Sequence, residues 1–470
     1  MLQTFLLLLR QELLIIVLIF LLLIIKIGSR ERTNESLMII INFLLLINFL
    51  HGFIMVSEGS LFSNMFRTNK LIILEKNILN LATLIISMQS WAWLKTHKHL
   101  LEFYMLTLST LLGMFFMISS GNLLMFYLGL ELSTIPLAAM ANFDLEKRQS
   151  SEAAMKLIIS SAFSSALLLF GISMLYGTTG TIDFAQIPLH LTGSDLQIFA
   201  FILLFAGFAF KISVVPFHFW TADVYEGAPV AVTSYLSVVS KAAVLFVLIP
   251  FLYIVFKPFG GIWYNILVLL SIITIIIGNL FAIRQNNLKR LLAFSSISQI
   301  GFILVGISGS SQAGIASAIY FVLIYTFSNL AAFGVLSVVS ATTGKETITD
   351  YRAFYKTNPI LSWVLTIALF SLAGVPPTAG FFGKFFLLLA GAGKGNYLLI
   401  TIAALNMVIS FYYYLRIVKA IFMDENSTPI PKIRVPKVIS LALYICIAGI
   451  LFSGIASSVY AYIYSLCSHF

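Results

Sequence analysis

Long apolar runs separated by short polar connections fill the chain from end to end. A run of about 20 apolar residues crosses a hydrocarbon core of about 30 Å, and the pattern predicts about fourteen such helices. They lie near 4–27, 36–57, 71–94, 101–120, 122–142, 153–177, 196–220, 228–255, 262–283, 290–308, 311–341, 358–391, 396–422 and 436–464. Helices are the reading because a lipid-embedded segment must satisfy its own backbone N–H and C=O groups. Leu13 to Ile27, preceded by Arg10, has the layout of a signal segment, but no small-residue cleavage pattern follows it, so it is read as the first membrane helix. The fold class is therefore all-α, a polytopic membrane protein.

Two of the predicted helices are interrupted in the same way. The seventh carries Gly207 and Pro216 around Lys211, and the twelfth carries Gly374, Pro376, Pro377 and Gly380 just before Lys384. Proline removes a backbone donor and clashes with the preceding turn, and carbonyls freed at membrane depth are tolerated only against protein or a wet cavity. Pro216 and Pro376 stand 160 positions apart. Paired broken helices in matching positions point to a transport site between inverted repeats. The expected organisation is one membrane domain, 1–470, with three N-terminal helices (1–100), a first five-helix repeat of helices 4–8 (101–256), a second of helices 9–13 (257–423) and a C-terminal helix (424–470).

Composition agrees with a lipid solvent: 60% of residues are hydrophobic and 10% charged, where a soluble domain has about 45–50% and about 25%. The net charge of +10 would suggest an anionic partner in a soluble protein. Here, however, the basic residues sit between apolar runs, which argues against nucleic acid. Eighteen of them fall in odd-numbered connections and four, Arg67, Lys70, Lys257 and Lys394, in even ones. The positive-inside rule then places the odd connections in the cytoplasm and both termini on the periplasmic side.

Four ionisable residues stand near the middle of apolar runs: Glu131 in helix 5, Lys211 in helix 7, Lys241 in helix 8 and Lys384 in helix 12. A charge at the centre of a membrane helix costs about 2.5–3.5 kcal/mol on insertion scales and is usually retained for function. The competing reading of any one of them is a structural ion pair. Lysine suits a proton relay because burial and a nearby carboxylate pull its proton affinity in opposite directions, so Glu131 beside Lys211 is expected to form a switchable pair that feeds Lys241. Ser213, Thr233, Ser234, Ser237, Ser240, Ser295, Ser296, Ser298 and Gln299 add polar atoms near the lysines; singly these are ordinary helix-packing groups, as a set a frame for ordered water. His218, just after Pro216, reads either as a locally satisfied histidine or as a proton carrier. Lys156 reads either as an i,i+4 partner of Glu152 or as a modulator of Glu131.

No dinucleotide or P-loop motif opens a helix, and no cysteine or histidine cluster suits iron–sulfur or haem ligation. No cofactor and no metal is expected in this chain. Cys446 and Cys467 are read as packing residues.

The stretches Asn122 to Pro136 around Glu131, Phe210 to Pro229 around Lys211, Asn287 to Ser298, and Gly374 to Lys384 resemble the antiporter-like membrane-arm subunits of NADH:quinone oxidoreductase, respiratory complex I. The resemblance covers roughly helices 4–13. It implies fourteen helices in inverted five-helix repeats, Glu131 and Lys211 as a pair, Lys241 as central relay and Lys384 as terminal lysine. It also implies that FMN, iron–sulfur clusters and quinone reside in partner subunits, with membrane-arm subunits M, K, J, A and H as partners. A bacterial inner membrane is expected, with the mitochondrial inner membrane as the alternative. Two departures matter. Gln299 stands where many relatives have a histidine, and the chain stops without the long lateral helix of the largest family member. The rival readings are a subunit of a multi-subunit cation/proton antiporter or of a membrane-bound hydrogenase, and a non-conducting scaffold that only seals a membrane arm.

Overall fold

The computed structural model describes residues 2–28, 33–54 and 57–469. Arg30 and Arg32, counted above among the basic residues of the first connection, lie outside the described residues. A short helix, Leu2–Leu8, opens the chain and stops at Leu9, dividing the run expected as one helix; three longer helices follow, α1 (Arg10–Ile27), α2 (Asn34–His51) and α3 (Lys70–Gln89). A short hairpin, β1 (Gly59–Leu61) and β2 (Phe66–Thr68), joins α2 to α3. The sequence pattern ran the second helix on to residue 57. The helix ends at His51 instead, and the chain from Ser57 on forms a hairpin that turns through Phe62, Ser63 and Asn64, all at positive φ, and pairs Gly59 with Thr68.

The first repeat comprises α4 (Leu100–Ile118), α5 (Leu123–Ala141), α6 (Arg148–Thr179), the halves α7 (Asp195–Lys211) and α8 (Phe219–Gly227), and α9 (Val230–Val255). The second comprises α10 (Gly260–Ile283), α11 (Leu288–Ser308), α12 (Gln312–Thr343), the halves α13 (Pro359–Ala373) and α14 (Ala379–Ala392), and α15 (Tyr397–Phe422). The last apolar run divides into α16 (Lys437–Ile455) and α17 (Ser457–Leu466), parted at Ala456, where the sequence pattern suggested one helix. Among the described residues eleven helices are long and apolar enough to cross a membrane. The other three expected segments are built differently: α1 carries Arg10, Glu12 and Lys26, and α7/α8 and α13/α14 are broken.

The repeats match element by element. In each, the third helix is 32 residues long and ends on a left-handed glycine, Gly180 or Gly344. Left-handed backbone at a helix C-terminus favours glycine because it has no Cβ to clash. In each, an asparagine caps the second helix, Asn122 on Met125 N at 2.8 Å and Asn287 on Arg290 N at 3.2 Å. The cap is pinned by an isolated bridge to the chain leaving the long helix, Asn122 to Asp183 and Asn287 to Thr347. The first of these bridges joins even-numbered connections and the second joins odd-numbered ones, so the same motif sits on opposite faces. This is how an inverted repeat looks at the level of hydrogen bonds.

α11 and α12 are almost wholly buried, with α3 and α9 beside them, while α2, α6, α10, α15 and α16 present much of their surface outward. The inner helices carry Lys241 (α9) and Ser296 and Gln299 (α11), so burial brings the polar residues of both repeats to one place. Close approach also shapes the second break. A Cβ on Gly380 would lie 1.7 Å from Ser371 O, so only glycine lets α14 start against the end of α13. Gly380→Ala is expected to destabilise the protein by about 1–3 kcal/mol through overpacking, whereas Gly177→Ala, in open space on α6, is expected to be neutral or slightly stabilising. Thermal unfolding in detergent, followed by tryptophan fluorescence, checks this; equal midpoints for Gly380→Ala and wild type would refute it.

Candidate functional site

The two helix breaks leave backbone groups without helical partners, and the site is built from what satisfies them. At the first break, α7 ends at Lys211 and the chain passes through Ser213 at φ 63° and a cis Val215–Pro216 bond. The indole of Trp220 donates to Phe210 O at 3.2 Å, Val215 N donates to Thr274 Oγ1 on α10 at 3.1 Å, and Thr221 donates to Ser213 at 2.7 Å. At the second break, α13 ends at Ala373 and the chain passes through Gly374 at φ 89° and a cis Pro376–Pro377 bond. Here Lys384 reaches back from α14 to donate to Leu372 O at 2.8 Å and Ala373 O at 3.1 Å. The lysine thus caps the broken helix whose C-terminal carbonyls attract a cation.

The other two lysines have hydroxyl partners. Lys211 Nζ donates to Ser161 at 2.6 Å and to Thr134 at 3.0 Å. Lys241 follows a π-helical turn, Leu236–Ser240, on α9 and donates to Ser296 on α11 at 2.8 Å, with its ammonium 5.6 Å from the Tyr225 ring centre. The Lys384 ammonium lies 4.9 Å from the Phe302 ring centre. All three lysines are buried. Ring faces and hydroxyls offer a cation partial compensation without a counter-charge.

Between the lysines runs a chain of polar side chains. Ser237 is bonded to Tyr325 at 2.9 Å and accepts from Asn329 at 2.8 Å, and Asn329 also bonds Tyr325. Gln299, one turn along α11 from Ser296, donates to Leu372 O at 2.9 Å and to Tyr414 at 3.2 Å, and Ser295 bonds the same tyrosine. Leu372 O therefore accepts from both Gln299 and Lys384, and Ser296, whose hydroxyl donates to Ala293 O at 2.7 Å, stands one turn before Gln299 between Lys241 and that carbonyl.

The remaining expected residues are placed as follows. Glu131 is half-buried on α5 with Tyr127 as its polar neighbour, and its Oε1 has no hydrogen-bond partner. Among the described residues no salt bridge joins it to Lys211; the amine instead reaches Thr134, one turn beyond Glu131, so the two face each other across a gap. His218 is buried near Lys241, with Nδ1 unpartnered. Lys156 bonds both Glu152 and Asp223 at 2.7 Å, and Arg290 joins Asp223 at 2.8 Å and Glu226 at 2.7 Å. The i,i+4 pair is present, but it belongs to a surface network lining a cavity of about 170 Å³ and not to the surroundings of Glu131. A neighbouring cleft of about 440 Å³ shares Gln149, Glu226 and Gly227 with it and adds Asp144, Lys147, and Lys289 paired to Glu346 at 3.2 Å. Every one of these charged residues comes from an odd-numbered connection or its flanking helix end.

Of the hydroxyls anticipated from sequence, Ser237, Ser295 and Ser296 join the track. Thr233 and Ser234 bond backbone carbonyls at Tyr225 and Val230, the packing role. Sequence reasoning missed Thr134, Ser161, Tyr225, Tyr325, Asn329 and Tyr414. Ser161 lies in a serine-rich part of α6, a usable signal; the buried tyrosines look like any other aromatic residue until the helices are assembled. Cys446 and Cys467 are buried and unpaired.

Comparison with known proteins matches this architecture. Residues 120–410 match the family described as NADH:quinone oxidoreductase/Mrp antiporter, TM. The chain is 49% identical over 407 residues to NADH-quinone oxidoreductase subunit N of Phocaeicola vulgatus, covering 86% of each chain. It is 48% identical over 410 residues to the subunit of the same name from Azobacteroides pseudotrichonymphae, covering 86% of this chain and 85% of that one. A chain of respiratory complex I from Thermus thermophilus superposes with a TM-score of 0.80 at 26% identity, over 95% of this chain and 98% of that one. The Mrp complex of Dietzia shares the fold, with a TM-score of 0.86 at 19% identity over 97% and 96% of the two chains. The chain is a multi-pass membrane protein of the NADH:quinone oxidoreductase/Mrp antiporter transmembrane family.

Proposed function

We propose that this chain is a subunit N-type, proton-translocating membrane-arm subunit of a respiratory NADH:quinone oxidoreductase. The observation that carries the reading is the convergence of Gln299 and Lys384 on Leu372 O, next to the Lys241–Ser296 bond on the same face of α11. It joins the broken helix of one repeat to the central lysine of the other. Quinone reduction in partner subunits shifts Glu131 relative to Lys211; a proton then passes by way of Lys241, Ser296 and Gln299 to Lys384, and leaves. His218, beside Lys241, is the accessory carrier.

The energies are commensurate. Moving one charge against 100 mV takes about 2.3 kcal/mol, and a hydrogen bond to a charged group contributes about 1.5–3 kcal/mol. Making or breaking one lysine contact is therefore enough to bias a step. Redox chemistry with FMN, iron–sulfur clusters and quinone belongs to the partner subunits, and the membrane-arm neighbours are subunits M, K, J, A and H. The chain sits in a bacterial inner membrane with the odd connections and their charged clefts cytoplasmic and both termini periplasmic.

Lys241→Met, in the assembled complex reconstituted in vesicles, is expected to cut NADH-driven proton pumping severely; unchanged pumping with normal assembly overturns the relay. Proton flux driven by a sodium gradient without NADH replaces this reading by the cation/proton antiporter.

Gln299→Leu removes the donor to Leu372 O and Tyr414 and is expected to lower pumping. Gln299→His, able to donate to the same carbonyl, is expected to retain more of it. Protons translocated per NADH oxidised is the measurement, and equal ratios for the leucine and histidine variants would remove Gln299 from the track.

A further inference from the structure

A second buried charge cluster lies outside the lysine track, where the three N-terminal helices meet the first repeat. Lys76 on α3 and Glu12 on α1 form an ion pair at 2.6 Å with both side chains 1% exposed. Arg10 and Glu75, both buried, complete a set of two cations and two carboxylates. Beside the pair, Gln11 donates to Asn77 at 2.7 Å.

From this pair a polar stripe runs along α3. Lys76, Asn80, Thr83 and Ser87 recur at i, i+4, i+7 and i+11, one face of a helix, and all are 3% exposed or less. They cover about 16 Å of depth at about 1.5 Å per residue. Asn80 donates to Leu45 O at 3.0 Å, but its Oδ1 has no partner, and neither polar atom of buried Asn48 on the facing α2 has one. Buried polar atoms are nearly always satisfied, by protein or by ordered water. Farther along, Thr83, Ser87, Tyr104, Thr107 and Tyr235 line an enclosed cavity of about 10 Å³, and about 10–15 Å³ suffices for one water. Ser87 bonds Tyr104 at 2.8 Å, and Thr110 donates to Tyr235 at 2.8 Å. Ala231 lines both this cavity and the charged cleft of about 440 Å³ that holds Asp144, Lys147 and Glu226. The stripe thus leads from the charged cleft on the basic face towards the buried pair. On the opposite side the Phe66 ring of β2 lies 5.0 Å from the Lys76 ammonium, and Arg10 bonds the carbonyls of Gly52 and Ile54.

We propose that Glu12 and Lys76 form a second proton-exchange site, reached from the basic face through a water file along α3 and closed on the other face by Phe66 and Arg10. The inference rests on the proton-translocating reading above but not on the Lys211–Lys241–Lys384 route. A proton arriving along the file adds to a Glu12 carboxylate oxygen and opens the ion pair, while Lys76 keeps its own proton. As the pair re-forms the proton leaves Glu12 towards the other face, past Phe66 and Arg10 when these part, and no other bond changes.

The test uses the whole complex in vesicles, reading protons translocated per NADH oxidised for Glu12→Gln, Asn80→Leu and the neutral double variant Glu12→Leu/Lys76→Met. All three are expected to fall below wild type. Thr83→Val, which removes one hydroxyl at constant shape, is expected to fall less and stands in for any variant that fails to assemble. A wild-type ratio in Asn80→Leu and in the double variant overturns the proposal, because a purely structural ion pair tolerates replacement by apolar groups. A low ratio here with unchanged pumping in Lys241→Met removes the lysine relay and leaves this path standing; the reverse pattern does the opposite.

Discussion

A helix that stops halfway across a membrane leaves carbonyls that lipid cannot satisfy, and the rest of the site follows from how this chain answers them. At the second break the answer is Lys384, folded back onto Leu372 O and Ala373 O. At the first it is Trp220, whose indole donates to Phe210 O, while Thr274 accepts from the freed Val215 N–H; this leaves Lys211 free to reach α5 and α6. One repeat thus caps its broken helix with a lysine, and the other with an indole. The same break produces two different lysine environments, one tied to backbone and one to side chains that rotate.

The inverted repeat turns these local solutions into a route. Because the second repeat is laid in with opposite sense, its second helix, α11, becomes the most buried element and faces α9 of the first repeat. Ser296 and Gln299 then stand one turn apart, one serving Lys241 and the other the carbonyl held by Lys384. No single repeat contains that continuity.

Much of this was legible before any coordinates. Run length and proline placement located the helices and both breaks, and charge at mid-run located Glu131, Lys211, Lys241 and Lys384. What escaped were residues whose meaning depends on a neighbour. Thr134 and Tyr414 look like packing groups until Lys211 and Gln299 arrive beside them, and the gap between Glu131 and Lys211 is a matter of side-chain reach that spacing does not encode. Lys76 was hidden for a different reason. It lies near the start of its run, within apparent reach of the interface, and Glu12 sits where a first helix could still be emerging from it. In the fold the Phe66 ring of the hairpin and Phe115 of α4 flank the Lys76 ammonium, and the pair is buried.

The kind of partner separates the buried lysines into two groups. Lys211, Lys241 and Lys384 bond hydroxyls and carbonyls, and a serine or threonine hydroxyl accepts from an ammonium or donates to a neutral amine. Both protonation states of Lys211 and Lys241 therefore keep a hydrogen bond, as a conduit requires. Lys76 bonds a carboxylate, and removing one partner of a buried ion pair strands the other at a cost of several kcal/mol. Such a pair changes its charge only when a proton reaches Glu12 and opens it, so it passes protons one gated step at a time. A polar stripe spanning half the membrane needs a closed end if it is not to leak, and Phe66 and Arg10, set behind the buried ammonium–carboxylate pair, supply one.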